Sequence, residues 1–312
     1  MSEIVTIPPI GAAQRPRWSV IIPVHNCAGY LAQALPEVLA QLGERTDAEI
    51  IVVDDSSIDH PEHAIEPFAD RVAYRPNPTH LGAVSTFNRG LQLSTGELVH
   101  LLHGDDLVLP GFYDAMDRAL ADPTALAAVC RVRDIDAAGH PLYETKSYRR
   151  GTGRWPDALS ALAVSNRVRA PGIVVRRCGY ERLGGFRADL PHAADWDMWT
   201  RLAAHGSIVF VDDVLACYRR HGASDTSARV LTGANVRERV SAIGVVAGYV
   251  ATGRRPRITR TALAYAVAFA GRTALTLAKA GEWRAAGRQV REAIRCCGLM
   301  VRGVPVTGSP PS

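Results

Sequence analysis

From residue 18 onward, short continuous apolar runs alternate with longer stretches whose apolar residues recur every three or four positions. Residues 18–24, 49–53, 72–74 and 97–102 form the short runs. Their Val and Ile content, without in-and-out alternation, predicts strands covered on both faces. Residues 28–42 carry Leu31, Leu35, Val38, Leu39 and Leu42 at helical spacing. Pro36 lies among them and is expected to kink that helix or shift its start. Residues 82–94 read as a second helix. Strands and helices alternating at this pitch predict parallel βαβ units. The second half is less regular. Strands are expected at 127–132, 173–177, 207–212 and 214–220, and a helix begins at 195–204. From about residue 230 to 300 the pattern is helical, interrupted at 253–256. Residues 278–294 read as a helical-hairpin turn followed by an amphipathic helix. The expected organisation is a flexible leader (1–17), a catalytic α/β body (18–229, divided at 107/108), a helical extension (230–302) and a frayed end (303–312).

In a parallel sheet of this kind, ligands bind beyond the carboxyl ends of the strands. Three of those ends are polar here: Pro23-Val24-His25-Asn26, Asp54-Asp55-Ser56-Ser57 and His103-Gly104-Asp105-Asp106. Asp105 and Asp106 are hard oxygen ligands suited to Mg2+ or Mn2+, which also take phosphate oxygens. Gly104 permits close backbone approach. The bland alternative is a turn and N-cap before a helix starting near Pro110. Asp54 and Asp55 can accept hydrogen bonds from a base N–H or a ribose hydroxyl, or act only as turn formers.

Seven segments then follow one another in a specific order: Val20-Ile-Ile-Pro-Val-His-Asn26, Ile51-Val-Val-Asp-Asp-Ser-Ser-Ile-Asp59, Leu81-Gly-Ala-Val-Ser-Thr-Phe-Asn-Arg-Gly90, Thr95-Gly-Glu-Leu-Val-His-Leu-Leu-His-Gly-Asp-Asp106, Gly184-Gly-Phe-Arg187, Ala194-Asp-Trp-Asp-Met-Trp-Thr-Arg-Leu202 and Tyr218-Arg-Arg-His221. Between Trp18 and Ser227 the chain thereby resembles family 2 glycosyltransferases, inverting enzymes of the GT-A fold. The resemblance implies a Rossmann-like nucleotide-binding sheet, a nucleotide-sugar donor (a UDP-, GDP- or TDP-sugar) and an acceptor that is a sugar, a lipid-linked molecule or a small metabolite.

It also implies roles. Pro23, Val24, His25, Asn26 and Asp54 or Asp55 would contact the nucleotide, with Gly104 beside it. Asn88 would support the donor pocket, or make a structural bond on its helix. Asp105, with Asp106 and His221, would hold the metal. Asp195 stands where the family has its general base, which takes the acceptor's proton as the acceptor attacks the anomeric carbon. Asp197 is the second candidate, or a buried acid paired with Arg201 at i+4. Arg219 or Arg220 would meet phosphate. Residues 166–187, including Arg169 and Gly185, would shape the acceptor side. Trp196 would stack there on a sugar, as would Trp155 or Trp199, unless they fill the core.

Two positions depart from the family pattern. His103 replaces an acid two residues before Asp105, and is a further metal candidate, a phosphate contact or only a space-filler. Ala194 replaces the Glu of a Glu-Asp dipeptide. Both departures support an alternative reading as a degenerate nucleotide-binding scaffold, against which Asp105, Asp195 and His221 argue. A sugar-phosphate nucleotidyltransferase would want a Gly-rich basic loop after the first strand, where this chain has His25-Asn26-Cys27-Ala28-Gly29.

Composition changes the picture in a few respects. Forty-seven per cent hydrophobic residues in a chain of 312 argue against disorder. The six cysteines lack zinc-like spacing and read as reduced thiols of a cytoplasmic protein. The apolar stretches 241–253 and 261–271 are flanked by arginines and fall short of the roughly 20 residues that span a bilayer. From Arg254 onward there are eleven Lys and Arg against two acids, Glu282 and Glu292, within a net charge of +5. The basic character is therefore confined to the tail. The C-terminal helices would pack on the catalytic body, touch a membrane surface peripherally or form a homodimer. A helical tail poor in aromatics is unlike a nucleic-acid platform.

Overall fold

The computed structural model describes residues 4–11, 15–42, 45–222 and 230–306. It divides into two units. The first comprises residues 1–156, 168–188 and 206–220, and the second residues 157–167, 189–205 and 221–312.

The first unit is built on a ten-stranded sheet. The predicted βαβ rhythm gives β1 (Trp18–Val24), α1 (Ala28–Leu42), β2 (Ala48–Asp54), a one-turn helix α2 (Glu62–Ile65), β3 (Val72–Pro76), α3 (Ala83–Leu93) and β4 (Leu98–Leu101). These four strands lie side by side in the order β3-β2-β1-β4, all parallel. All seven residues of β1 are buried, as their unbroken apolar run requires. Register pairs Val24 with Asp54 at the carboxyl ends. The helix α1 runs continuously through Pro36 and starts where the spacing placed it, at Ala28. Pro36 sits exposed within the helix, where water can satisfy the carbonyl it leaves open.

Beyond β4 the sheet becomes mixed. Next come β5 (Leu107–Val108), α4 (Phe112–Ala119), β6 (Ala125–Ile135), the short β7 (Pro141–Glu144) and β8 (Gly153–Arg154), and β9 (Ile173–Arg176) with α6 (Arg177–Leu183) after it. β9 runs antiparallel between β4 and β6. The two strands expected at 207–212 and 214–220 are one strand, β10 (Ser207–Arg219). Register shifts between Val211 and Ala216 let it bulge around Asp212-Asp213 while still pairing with β6.

The leader is not loose where it is described. Ile7 is fully buried, Gly185 N–H donates to Val5 O at 2.7 Å, and Arg177 donates to Pro8 O at 3.3 Å. Gly184 makes room for it, since a Cβ there would meet Ile4 Cγ2 at 2.5 Å.

The second unit is helical: α5 (Ala158–Val164), α7 (Ala194–His205), α8 (Ala234–Val246), α9 (Arg255–Lys279) and α10 (Trp283–Arg302). The expected linear boundary at 229/230 is thus corrected. Apolar faces of α5 and α7 pack with the C-terminal helices around Leu190, Trp196, Val236, Ile243, Val246, Leu263 and Cys296. Ala262, Ala266, Ala270 and Ala274 recur at i+4 on the buried side of α9, which brings α10 close. Thr252–Lys279 is long and apolar enough to cross a membrane by length and composition, because the second apolar stretch is continuous with its flanks in one helix. Predicted features at 1–3, 12–14, 223–229 and 307–312 lie outside the described residues, including the end of the family-like region at Ser227.

Candidate functional site

The carboxyl ends of β1 and β4 meet through Gly104. Its N–H donates to Pro23 O at 3.0 Å, and a Cβ would lie 2.6 Å from Val24 Cγ1 and 3.0 Å from Cys27 Sγ. Only glycine lets the turn close on β1, so Pro23, Val24, Gly104 and the acidic pair come together as expected. Asp106 is fully buried. Its Oδ1 accepts from the Arg219 N–H at 2.9 Å, and Arg219 Nε donates to Asp105 O at 2.9 Å. Asp106 Oδ2 is buried and accepts no hydrogen bond. His103 stacks on Phe87, ring centroids 5.0 Å apart, with Nδ1 3.8 Å from that oxygen. Burial, then the neighbouring Asp105 charge, pushes the Asp106 carboxyl well above its ordinary range.

One nitrogen of His103 and one oxygen each of Asp105 and Asp106 lie within 4.8 Å of one another. Imidazole with two carboxylates is a donor set that Mn2+ accepts readily and Mg2+ accepts through the oxygens. A bare buried carboxylate oxygen is where a cation relieves the cost of desolvation. The residues therefore fit a divalent ion. They do not form an N-cap: α4 begins after Gly111 in the left-handed region, without a side-chain cap. The Arg219 guanidinium is held by Asp105 O, Ala137 O and Gln33 and lies over Tyr30.

The β2 end is more structural than expected. Asp54 accepts from Ser57 N–H at 3.0 Å, Ser57 Oγ at 2.5 Å and Tyr74 OH at 2.7 Å. Asp55 accepts from Asn77 Nδ2 and from the Leu81 and Gly82 N–H groups, each at 2.8 Å. Burial alone would raise the Asp55 pKa, but these bonds outweigh it and hold the carboxyl below its ordinary value. His80 closes the group, its Nδ1 3.0 Å from Asp55 Oδ2 and its ring 4.4 Å from that of His25. His25 in turn has Nδ1 2.9 Å from Asp55 O. Nothing around His80 in the sequence marks it, since its place comes from the loop that Asp55 gathers. Asn26 ties the two loops together, accepting from the Ile58 N–H at 2.9 Å. Asn26, Ser56 and His60 all have positive φ (51°, 61°, 58°), so backbone strain concentrates in these strand-end loops.

Asn88 makes the structural bond. Its amide accepts from the Phe186 N–H at 2.7 Å and donates to Phe186 O at 2.9 Å. Gly185 leaves it room, since a Cβ there would meet Asn88 Oδ1 at 2.3 Å. Gly185 thus serves Asn88 and the leader. Arg169 and Arg220 both pair with the fully buried Asp134, at 3.2 and 2.6 Å, and both hydrogen-bond to Tyr143 OH. Asp134 was hidden among the alternating charges of β6.

In the second unit, Asp195 opens α7. Its Oδ2 accepts from Asn166 Nδ2 at 2.7 Å and its Oδ1 from the Trp196 N–H at 2.6 Å. Arg239 lies within electrostatic reach of it, held over the Trp196 and Phe269 rings. Asn166 and Arg239 lie far from Asp195 in the chain, so only the fold ties them to this carboxylate. Asp197 points elsewhere. It pairs with Arg201 at 2.9 Å, both fully buried, and accepts from Tyr249 OH at 2.6 Å. Trp196 is not a sugar platform in this conformation: it is buried, with Nε1 bonded to Leu162 O. Trp199 is likewise buried, and in the first unit Trp155 packs against Tyr148. His221, half-buried, falls in the second unit.

Comparison with known proteins gives this arrangement a context. The family described as Glycosyl transferase family 2 matches residues 19–180. An uncharacterized protein of Mycobacterium tuberculosis is 29% identical over 253 residues, 76% of either chain. An uncharacterized glycosyltransferase of Rickettsia typhi is 28% identical over 214 residues, 68% of this chain and 66% of its own length. Among solved structures, S. aureus TarS 1-349 in complex with UDP-GlcNAc aligns over 93% of this chain and 82% of its own, with TM-score 0.68 and 18% identity. The mannosyltransferase PcManGT from Pyrobaculum calidifontis, in complex with GDP-Man and Mn2+, aligns over 96% and 90%, with TM-score 0.57 and 21% identity. These likenesses establish the expected GT-A fold.

Proposed function

Because the chain belongs to glycosyl transferase family 2, and so is a sugar-transferring enzyme, we propose that it moves a sugar from a nucleotide-diphosphate donor to an acceptor hydroxyl with inversion. The observation that carries this reading is the His103, Asp105, Asp106 group, in which a buried carboxylate oxygen accepts no hydrogen bond. We assign Asp105, Asp106 and His103 to a divalent ion, Mn2+ or Mg2+, with His221 as a further ligand candidate from the family motif. When bound, such an ion neutralises the departing diphosphate as a Lewis acid. TarS with UDP-GlcNAc and PcManGT with GDP-Man and Mn2+ support the donor class, uridine or guanosine sugars being the first to try.

On this reading the residues divide the work. His25, Asn26 and the Asp54 and Asp55 loops present backbone and imidazole groups to the nucleoside, and their own hydrogen bonds keep those loops in shape. Asp195 takes the acceptor hydroxyl's proton as the new C–O bond forms at the anomeric carbon. The sugar–phosphate bond breaks on the opposite face, and its electron pair leaves on the diphosphate. Asn166 and the Trp196 N–H hold the Asp195 carboxylate in one orientation.

The test is sugar transfer from a panel of UDP- and GDP-sugars with Mn2+, read with Asp195→Asn and Asp105→Asn. Removal of a general base is expected to lower kcat by about 10²–10⁴-fold with donor binding kept in Asp195→Asn. Asp105→Asn should lose Mn2+-dependent nucleotide binding by calorimetry. Wild-type transfer by Asp195→Asn would remove that residue as base, and undiminished turnover in excess EDTA would remove the metal.

A further inference from the structure

The last helix, α10, buries Ala285, Ala286, Gln289, Glu292 and Cys296. Its opposite side carries Trp283, Val290, Ile294 and Val301, which are 71%, 48%, 68% and 89% exposed. At about 3.6 residues per turn these four fall within about 20° of a common line, and the exposed Gly287 and Cys297 within about 40° of it. Five arginines, Arg284, Arg288, Arg291, Arg295 and Arg302, are exposed and fall along one flank of that line. The only acids on α10 and its N-cap are Glu282, at the very start, and the buried Glu292, which pairs with Arg237 at 2.8 Å and Arg295 at 3.6 Å. Arg288 spends one hydrogen bond on Leu231 O.

An apolar line of about 27 Å, at 1.5 Å per residue, beside a continuous cationic rail is expensive to leave in water. We propose that this face of α10 lies on an anionic lipid surface, with Trp283, Ile294 and Val301 entering the headgroup boundary and the arginines meeting lipid phosphates. Charge selects this occupant. A second copy pairing through the same face would bring no exposed acid beyond Glu282 at the helix start to answer the arginine rail. A flat, one-sided basic helix bearing Trp and aliphatic residues is the form that lies within a membrane interface.

Full-length protein should co-sediment with phosphatidylcholine vesicles containing phosphatidylglycerol, and weakly with phosphatidylcholine alone. Raising the salt should weaken this, since exposed charges are screened beyond about 8–10 Å at physiological ionic strength. Arg284→Gln/Arg291→Gln/Arg302→Gln should bind roughly a hundredfold more weakly, as expected from about a fivefold step per arginine. Trp283→Ser/Ile294→Ser/Val301→Ser should lose binding even at low salt. All six side chains are exposed, so circular dichroism melts should stay at the wild-type value. Wild-type protein that ignores anionic vesicles, or variants that bind them as well as wild type, overturns the proposal. So does a concentration-dependent dimer that the triple-Ser variant abolishes without any vesicle binding.

Discussion

His100 is a fully buried imidazole, with Nε2 3.1 Å from Pro171 O and Nδ1 3.2 Å from Tyr113 OH. These partners suit the neutral ring, donating from Nε2 and accepting at Nδ1. Burial pushes its pKa down to about 3. The folded-state value lies below the unfolded one of about 6.5, so the unfolded chain takes the proton first. Stability from this group is complete above about pH 6.5 and falls as the pH drops from there toward 3, by up to about 1.4 kcal/mol per pH unit. Urea unfolding of wild type and His100→Gln across that range should show the variant's curve flatter, and parallel curves would refute the assignment. The same contrast explains which site residues could be read in advance. Asp105, Asp106 and His25 follow apolar strands, and polarity at a strand end is a local signal. His80 and Asp134 are significant only because of what folding puts beside them: a saturated Asp55 for one, two guanidinium groups for the other. Asn88 was legible as important, but only its bonds to Phe186 show that its amide is occupied by backbone.

Among the elements, α7 has two acids near its start with opposite fates. Asp195 is half-exposed and oriented by Asn166, whereas Asp197 lies in the core against Arg201 and Tyr249. The i+4 spacing made the Asp197–Arg201 pair readable from sequence, because helical geometry alone sets it. Asp197→Ala would leave the Arg201 charge buried without its carboxylate. Such a loss costs about 3–5 kcal/mol, and chemical denaturation should find the second unit destabilised by that order. A loss below about 1 kcal/mol would mean that water reaches Arg201. The bulge in β10 was not readable. Asp212-Asp213 interrupts the apolar run in a way that resembles a turn, and only pairing with β6 on both sides shows one strand. The inserted, antiparallel β9 was equally hidden, because strand order depends on contacts far apart in the chain.

For the molecule as a whole, the leader and the second unit redraw the predicted boundaries. Deleting residues 1–11 removes Ile7 from a buried position and frees the Gly185 N–H. Burial of an Ile side chain is worth about 1.5–3 kcal/mol, so the truncated protein should melt several degrees lower, and an unchanged melting temperature would return the leader to the loose state its composition suggested. The leader misled because Ile4, Val5, Ile7 and Ile10 are interrupted by prolines and follow neither the helical nor the strand period. The second unit has a different consequence, one of timing. Its strips at 157–167 and 189–205 leave the ribosome long before α8, α9 and α10, which complete their core. At about 5–20 residues per second, Trp196 and Leu190 wait several seconds with no apolar partner from the C-terminal helices, while the first unit's chain is already complete at residue 220. A nascent chain arrested before α8 therefore carries Leu190 and Trp196 without the C-terminal half of the cluster they share, so synthesis of the last helices is what completes that core.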